Sequence, residues 1–232
     1  MLPRPQPGAL GGDVPGRAGA PPYAPGRPEQ EVDGSVVDSG PVQFRRAREA
    51  LRTAVVRPEV VLTEAPAPLR IAPYAAAVGA DVVVGGEELA TGRLVLLHDP
   101  AGQDAWGGSF RVVTFIRAAL EPEIAADPML SGVGWTWLLE ALEARSARYA
   151  AASGTVTRVA SESFGALADR PSEAEVEIRA SWTPIGPTGN DPGDHIDDHL
   201  SAWCELLCTT AGLPPLTPGV IALPARRGPH RR

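Results

Sequence analysis

From Glu173 to Trp182 the chain reads EAEVEIRASW, with Ala174, Val176, Ile178, Ala180 and Trp182 at every second position and Glu173, Glu175, Glu177 and Arg179 between them. Successive side chains of a strand point to opposite faces, so this alternation gathers the apolar groups on one face and the charges on the other. Such a strand needs a sheet with one covered face, and its second face is wet or meets cations. Strands of doubly wound parallel sheets are buried on both sides and read as continuous apolar runs instead. The cleanest periodicity in the chain therefore points to an antiparallel sheet.

The other elements agree with this. A helix opens with Ser39 as N-cap and Pro41 in its first turn, and carries Phe44, Ala47, Leu51, Ala54 and Val55 at helical spacing until Pro58 stops it. Strands are predicted over 59–63 and 75–84, the second with Val78, Ala80, Val82 and Val84 on one face. Two more, over 93–97 and 109–118, are apolar on both faces at their centres, as interior strands are. A helix over 131–146 buries Trp135, Leu138, Leu139 and Leu142 and turns Trp137 the other way. Strands over 153–160 and 173–182 precede a last helix, capped by Asp194, with Ile196, Leu200, Trp203, Leu207 and Ala211 on one stripe. This order predicts a two-layer α+β domain, a mostly antiparallel sheet of about six strands with three main helices on one face. It is similar to the order of small secretion-chaperone-like domains that bind peptides, a likeness of order only, since fold does not carry function.

Residues 1–40 hold eight prolines and eight glycines without a repeat, and a disordered N-terminal tail is expected there. The α+β domain is expected over 41–223 and a basic tail, with Arg226, Arg227, Arg231 and Arg232, over 224–232. The chain carries a net charge of −7, and its body is more acidic than that once this tail is set aside. A nucleic-acid partner is disfavoured on that ground. No stretch approaches the roughly 18 consecutive apolar residues of a membrane span and no leader pattern opens the chain, so no membrane association and a cytoplasmic home are expected. All 21 basic residues are arginine, which together with abundant Ala, Gly, Pro and Val suggests a GC-rich genome.

Read in order, FRRAREALR, RPEV, IAPYA, GRLVLLHDPAGQDAWGG, FRVVTFIRAALEPEIAADPML, ASGTVTR, EIRASWTP and WCELLCTTAGLPP carry a specific resemblance over roughly Val42 to Arg227. The chain resembles the actinobacterial family catalogued as domain of unknown function 3000. The resemblance implies a single-domain actinobacterial protein and supplies no activity, cofactor or catalytic residue to transfer.

A chain without lysine holds no Walker lysine, no Schiff base to pyridoxal phosphate, no Ser-x-x-Lys centre and no kinase strand lysine. Neither G-x-G-x-x-G nor G-x-S-x-G occurs. His195, His199, Cys204 and Cys208 are four zinc-type ligands on one helix, but at 100° per residue the cysteines lie about 180° around from the histidines. One ion cannot collect all four. The cysteines, too far apart for undistorted disulfide geometry, read as small reduced hydrophobes beside the apolar stripe. No metal and no cofactor is expected.

The segment LLHDPAGQDAWGG, Leu96 to Gly108, carries two readings. His98 oriented by Asp99 or Asp104 would serve as a general base, and about eleven residues between neighbouring strands exceed an ordinary hairpin loop. Against this, adjacent strand residues face opposite ways, and Asp99-Pro100 with Gly102 is good turn chemistry, Asp closing an Asx turn and Gly taking a positive φ. The turn is favoured. Two surfaces suggest partners: Arg45, Arg48 and Arg52, within about 60° of arc on the first helix, and Trp137 with Ala141 and Ala144 beside it. The arginines alternatively form a solvated face or pair with Glu173, Glu175 and Glu177, and Trp137 alternatively packs internally against the first helix or the N-terminal tail. The leading expectation is a non-enzymatic module that binds another protein or peptide. Behind it stand a small-molecule hydrolase using His98 with Asp99 or Asp104, and more distantly a nucleic-acid accessory factor.

Overall fold

The computed structural model describes residues 40–186 and 192–215. The expected N-terminal tail up to residue 39, the Ser39 cap and the basic C-terminal tail lie outside the described residues.

Six strands form one antiparallel sheet: β1 (Val60–Ala65), β2 (Tyr74–Val84), β3 (Glu87–Gln103), β4 (Gly108–Leu120), β5 (Tyr149–Ser161) and β6 (Glu173–Pro184). Their order in space is β1-β2-β3-β4-β6-β5. The main helices are α1 (Val42–Thr53), α3 (Leu130–Ala144) and α4 (Ile196–Thr210), with a short α2 (Pro122–Ala126) before α3. The α+β architecture expected from the alternation is the one observed. β6 lies between β4 and β5, and its apolar set, Ala174, Val176, Ile178, Ala180 and Trp182, is buried under the helices. β3 and β4 are interior, as their two-sided apolar centres require.

α4 is the keystone of the covered face. Besides its predicted stripe it buries His199, Ala202, Cys204, Leu206, Cys208 and Thr210, because α1 and α3 flank it while its inner side rests on β3. The close approach to the sheet depends on Gly92, where a Cβ would stand 2.6 Å from Leu207, 2.8 Å from Trp203 and 2.8 Å from the Phe115 carbonyl. A buried charge network ties the layers at one end. Arg57 pairs with Glu59 at 3.2 Å and Glu205 at 3.6 Å and donates to the Pro214 carbonyl, while Glu205 also takes Arg145.

Several boundaries differ from expectation for identifiable reasons. α1 ends at Thr53, before Pro58, and Val55 is 87% exposed, outside the helix. The backbone turns extended at Ala54, and the proline disfavours helix at Arg57, which enters the ion-pair network instead. α2, five residues long, is too short to show a helical period. α4 is preceded by a single tight turn, Gly193–His195, so its cap position falls on His195, one residue beyond Asp194. On α3 the buried line is Leu130, Gly134, Leu138 and Leu142, with Trp135 and Trp137 half-buried and packed against the core. Trp137 flanks the covered face and does not point away from it.

The largest departure is at residues 96–108. β3 continues to Gln103 and β4 begins at Gly108, so Asp104–Gly107 form a four-residue turn in place of a long loop. The extra length is absorbed in a bulge, in which Asp99 to Gly102 stand opposite Ser109 alone between the His98–Phe110 and Gln103–Gly108 pairs.

Candidate binding surface

The bulge decides the chemistry of its residues. The Asp99 carboxylate accepts the Ala101 N–H at 3.0 Å and the Gln103 amide at 3.1 Å, and Gly102 takes φ 75°, which is the Asx turn and positive φ expected of this segment. His98 lies on the helix-covered face, fully buried, stacked on Phe110 at 4.1 Å between ring centroids and beside Phe44 and Tyr74. Its Nδ1 is 3.0 Å from the Ser109 carbonyl, and since a carbonyl only accepts, Nδ1 carries the proton. Asp104 is exposed at the tip of the turn. The structure therefore does not bring His98 together with Asp99 or Asp104. A cleft of about 510 Å³ runs along this hairpin end, past Gln43, Gly102, Gly108, Ser109 and Thr183, and among the described residues no side chain lining it is an acid or base in the neutral range.

The helical candidates are also dispersed. His199 is buried, and its Nδ1 accepts the Trp182 indole N–H at 3.0 Å, which occupies the lone pair a metal would need there. Burial, with His195 adding to it, holds His199 down to about 4. His195 is half-exposed beside Asp198 at 3.7 Å. Cys204 and Cys208 are free and buried, and burial pushes both thiols up, Cys208 to about 11. Such thiols are inert as nucleophiles. On α1, Arg45 donates to the Gly40 carbonyl at 2.8 Å, Arg48 is half-buried and Arg52 is exposed. Two of the three acidic residues of β6 pair with arginines of the sheet itself: Glu175 with Arg117 at 3.8 Å and Glu177 with Arg179 at 2.7 Å.

What sequence reasoning missed lies on the other side of the sheet. Opposite the helices, Val95 on β3 stands across from Val113 on β4, Arg93 from Phe115, and Val113 and Phe115 from Ser181 and Arg179 on β6. These residues, with Ser153 and Thr155 from β5, line a trough of about 490 Å³ that is open to solvent. Val113 is 38% exposed, and the Arg179 guanidinium lies over the Phe115 ring at 5.2 Å. Arg93 donates to the Pro66 carbonyl, tying the β1–β2 connection to this face. Below the trough Arg111, 8% exposed, reaches across β6 toward β5, and burial draws its pKa down. It donates to the Ala151 carbonyl at 3.0 Å, to Thr183 at 3.1 Å, to Ser181 at 2.7 Å and to Ser153 at 3.3 Å.

The family described as "Protein of unknown function (DUF3000)" matches residues 40–221, from the start of α1 past the end of α4. The chain belongs to this family. The DUF3000 match spans all six strands, so both faces of the sheet fall within it. No curated protein and no solved structure matches the chain. Among the described residues, no helix of this DUF3000 chain is long and apolar enough to cross a membrane.

Proposed function

We propose that the protein is a non-enzymatic binding module that holds a peptide segment of another protein against the uncovered face of its sheet. The observation that carries this reading is the trough itself. Val95, Val113 and Phe115 are apolar residues on the sheet face that, among the described residues, no helix covers, bordered by Arg93 and Arg179. A contiguous apolar surface rimmed by polar groups is the usual mark of an interaction site. Burying one such side chain on docking is worth about 1.5–3 kcal/mol. The trough is open along its length, so it does not enclose a small molecule as small-ligand sites do, and it suits a segment whose remainder lies outside. The backbone of β3, β4 and β6 is already paired on both sides, so recognition there runs through side chains.

The lysine-free composition favours an actinobacterial source, and the two free buried thiols suit a cytoplasmic home. The hydrolase reading finds no support, because its histidine is enclosed by aromatic rings and its carboxylates are spent on a turn or exposed at a tip.

Site-specific photocrosslinking in the native host tests the proposal. A benzoylphenylalanine replacing Phe115 is expected to give a discrete protein adduct, while the same group replacing Trp137 or Arg48 gives none. Adducts at Trp137 or Arg48 but not at Phe115 would move the binding surface to the helical side. No protein adduct at any of the three would overturn the reading.

A further inference from the structure

The hydroxyl cluster on the outer face leaves one proton facing the open trough and, among the described residues, one cation without a carboxylate. A guanidinium can only donate, so Ser153, Ser181 and Thr183 all serve Arg111 as acceptors and must send their own hydroxyl protons elsewhere. The Thr183 proton goes to the Trp106 carbonyl at 2.5 Å. Ser153 and Ser181 stand 3.3 Å apart, and one donates to the other. The last proton points to solvent, because this contact is exposed and both serines line the open trough, where a ligand acceptor can replace water.

The charge balance points the same way. Among the described residues Arg111 has no carboxylate partner; its hydrogen bonds go to one carbonyl and three hydroxyls. A guanidinium buried without a counter-charge is costly, and an anion placed beside it repays that cost. The backbone is bent to build this arrangement. β5 changes register against β6 between Ala150 and Ser153, with Ala151 at φ 50°, and this bulge presents the Ala151 carbonyl to Arg111. Left-handed backbone at a non-glycine residue is costly and persists where the surroundings hold it. Among the described residues, the two ionisable ones lining the trough, Arg93 and Arg179, are both cationic, and Glu177 already pairs with Arg179.

Resting on the peptide-binding reading, the geometry points to an acidic side chain in the bound peptide as the group the trough selects. One carboxylate oxygen accepts the outstanding hydroxyl proton of Ser153 or Ser181 above Arg111, and an apolar neighbour in the peptide lies on Val95, Val113 and Phe115. This places the partner's recognition element in the class of acidic-plus-apolar segments, on a protein whose own net charge is negative. The attraction is local and is set by Arg111 and Arg93, since Arg117 and Arg179 already pair with Glu175 and Glu177 on the same face.

The test is an amide NMR titration of the full chain with two probes differing only in charge, N-acetyl-glutamyl-phenylalanine amide and its glutaminyl counterpart. The glutamyl probe is expected to move the amides of Ser153, Gly154, Phe115 and Ser181 and to bind about tenfold more tightly, as a charge-assisted hydrogen bond implies. In Ser153→Ala/Ser181→Ala that advantage collapses while the shifts at Phe115 remain and the rest of the spectrum shows the fold intact. Equal binding of the two probes by the wild-type chain overturns the carboxylate subsite and leaves the trough standing. Shifts elsewhere, or none with either probe, overturn the peptide-binding reading of the trough together with the subsite. Tighter binding of 3-phenylpropionate than of the glutamyl probe makes the occupant a free acid and removes the peptide.

Discussion

The two faces of this sheet are built from the same strands and solve opposite problems. Under the helices, Leu94, Leu96, Val112, Ile116, Ile178 and Trp182 are at most 1% exposed, and the polar groups admitted there are few and tied down, such as His199 on Trp182. On the other face Val95, Val113 and Phe115 remain in contact with solvent, and the buried cation there, Arg111, is held by hydroxyls and a carbonyl. Alternation alone would have put polar residues where these three stand. Most of the apolar core thus lies on one side of the sheet, and the other side keeps Val95, Val113 and Phe115 only partly covered.

The difference is sharpest in a pair of truncations. Trp203 is fully exposed to packing and not to water, at 0% accessibility against Gly92 of β3, so Trp203→Ala is expected to cost about 3–5 kcal/mol. Phe115→Ala, on the open face, is expected to cost about 1 kcal/mol or less and to abolish the trough's shifts with the glutamyl probe. Urea unfolding of both variants measures the contrast. If Phe115→Ala destabilises as much as Trp203→Ala, the outer face is a second core and the division fails.

How far this division was legible can be traced residue by residue. The alternation from Glu173 to Trp182 announced a sheet with one covered face, and that face is the covered one. β3 and β4 already carried the signal for the trough, since Val95 and Val113 are apolar at positions facing away from the helices, which a two-layer fold does not bury. Without a structure that signal is indistinguishable from an interior strand buried on both faces. Arg111 was illegible for a different reason. Its partners lie 40 to 72 residues away and meet only through the β4-β6-β5 order and the β5 bulge, and neither is a local property of the chain. The turn chemistry of Asp99 and Gly102 was legible because both act within four residues. The arginines of α1 and Trp137 drew notice by helical spacing alone, which does not tell what stacks against a helix from its side.

A smaller effect comes from the covered face through its histidine. His199 titrates at about 4 in the folded protein against an ordinary 6.5, so between these values the unfolded chain binds more protons. Stability is full above pH 6.5 and falls as the pH drops through the window toward 4, by about 3 kcal/mol in all. In His199→Gln, which keeps an acceptor for the Trp182 N–H but does not titrate, the decline over that window is expected to flatten. An unchanged slope would assign the acid sensitivity to other groups.

The smallest expected effect is at the hairpin, the segment that most resembled a catalytic loop. Asp99→Ala removes the bonds to the Ala101 N–H and the Gln103 amide, both near the surface, where a hydrogen bond is worth about 0.5–1.5 kcal/mol net. Gly102 still permits the positive φ the bulge requires, so the register of β3 against β4 is expected to hold, and Ser153 and Phe115 are expected to respond to the glutamyl probe as in the wild-type chain. A substitution that leaves stability nearly intact but changes that response would couple the bulge to the trough, and the hairpin would then belong to the binding face and not to the scaffold that carries it.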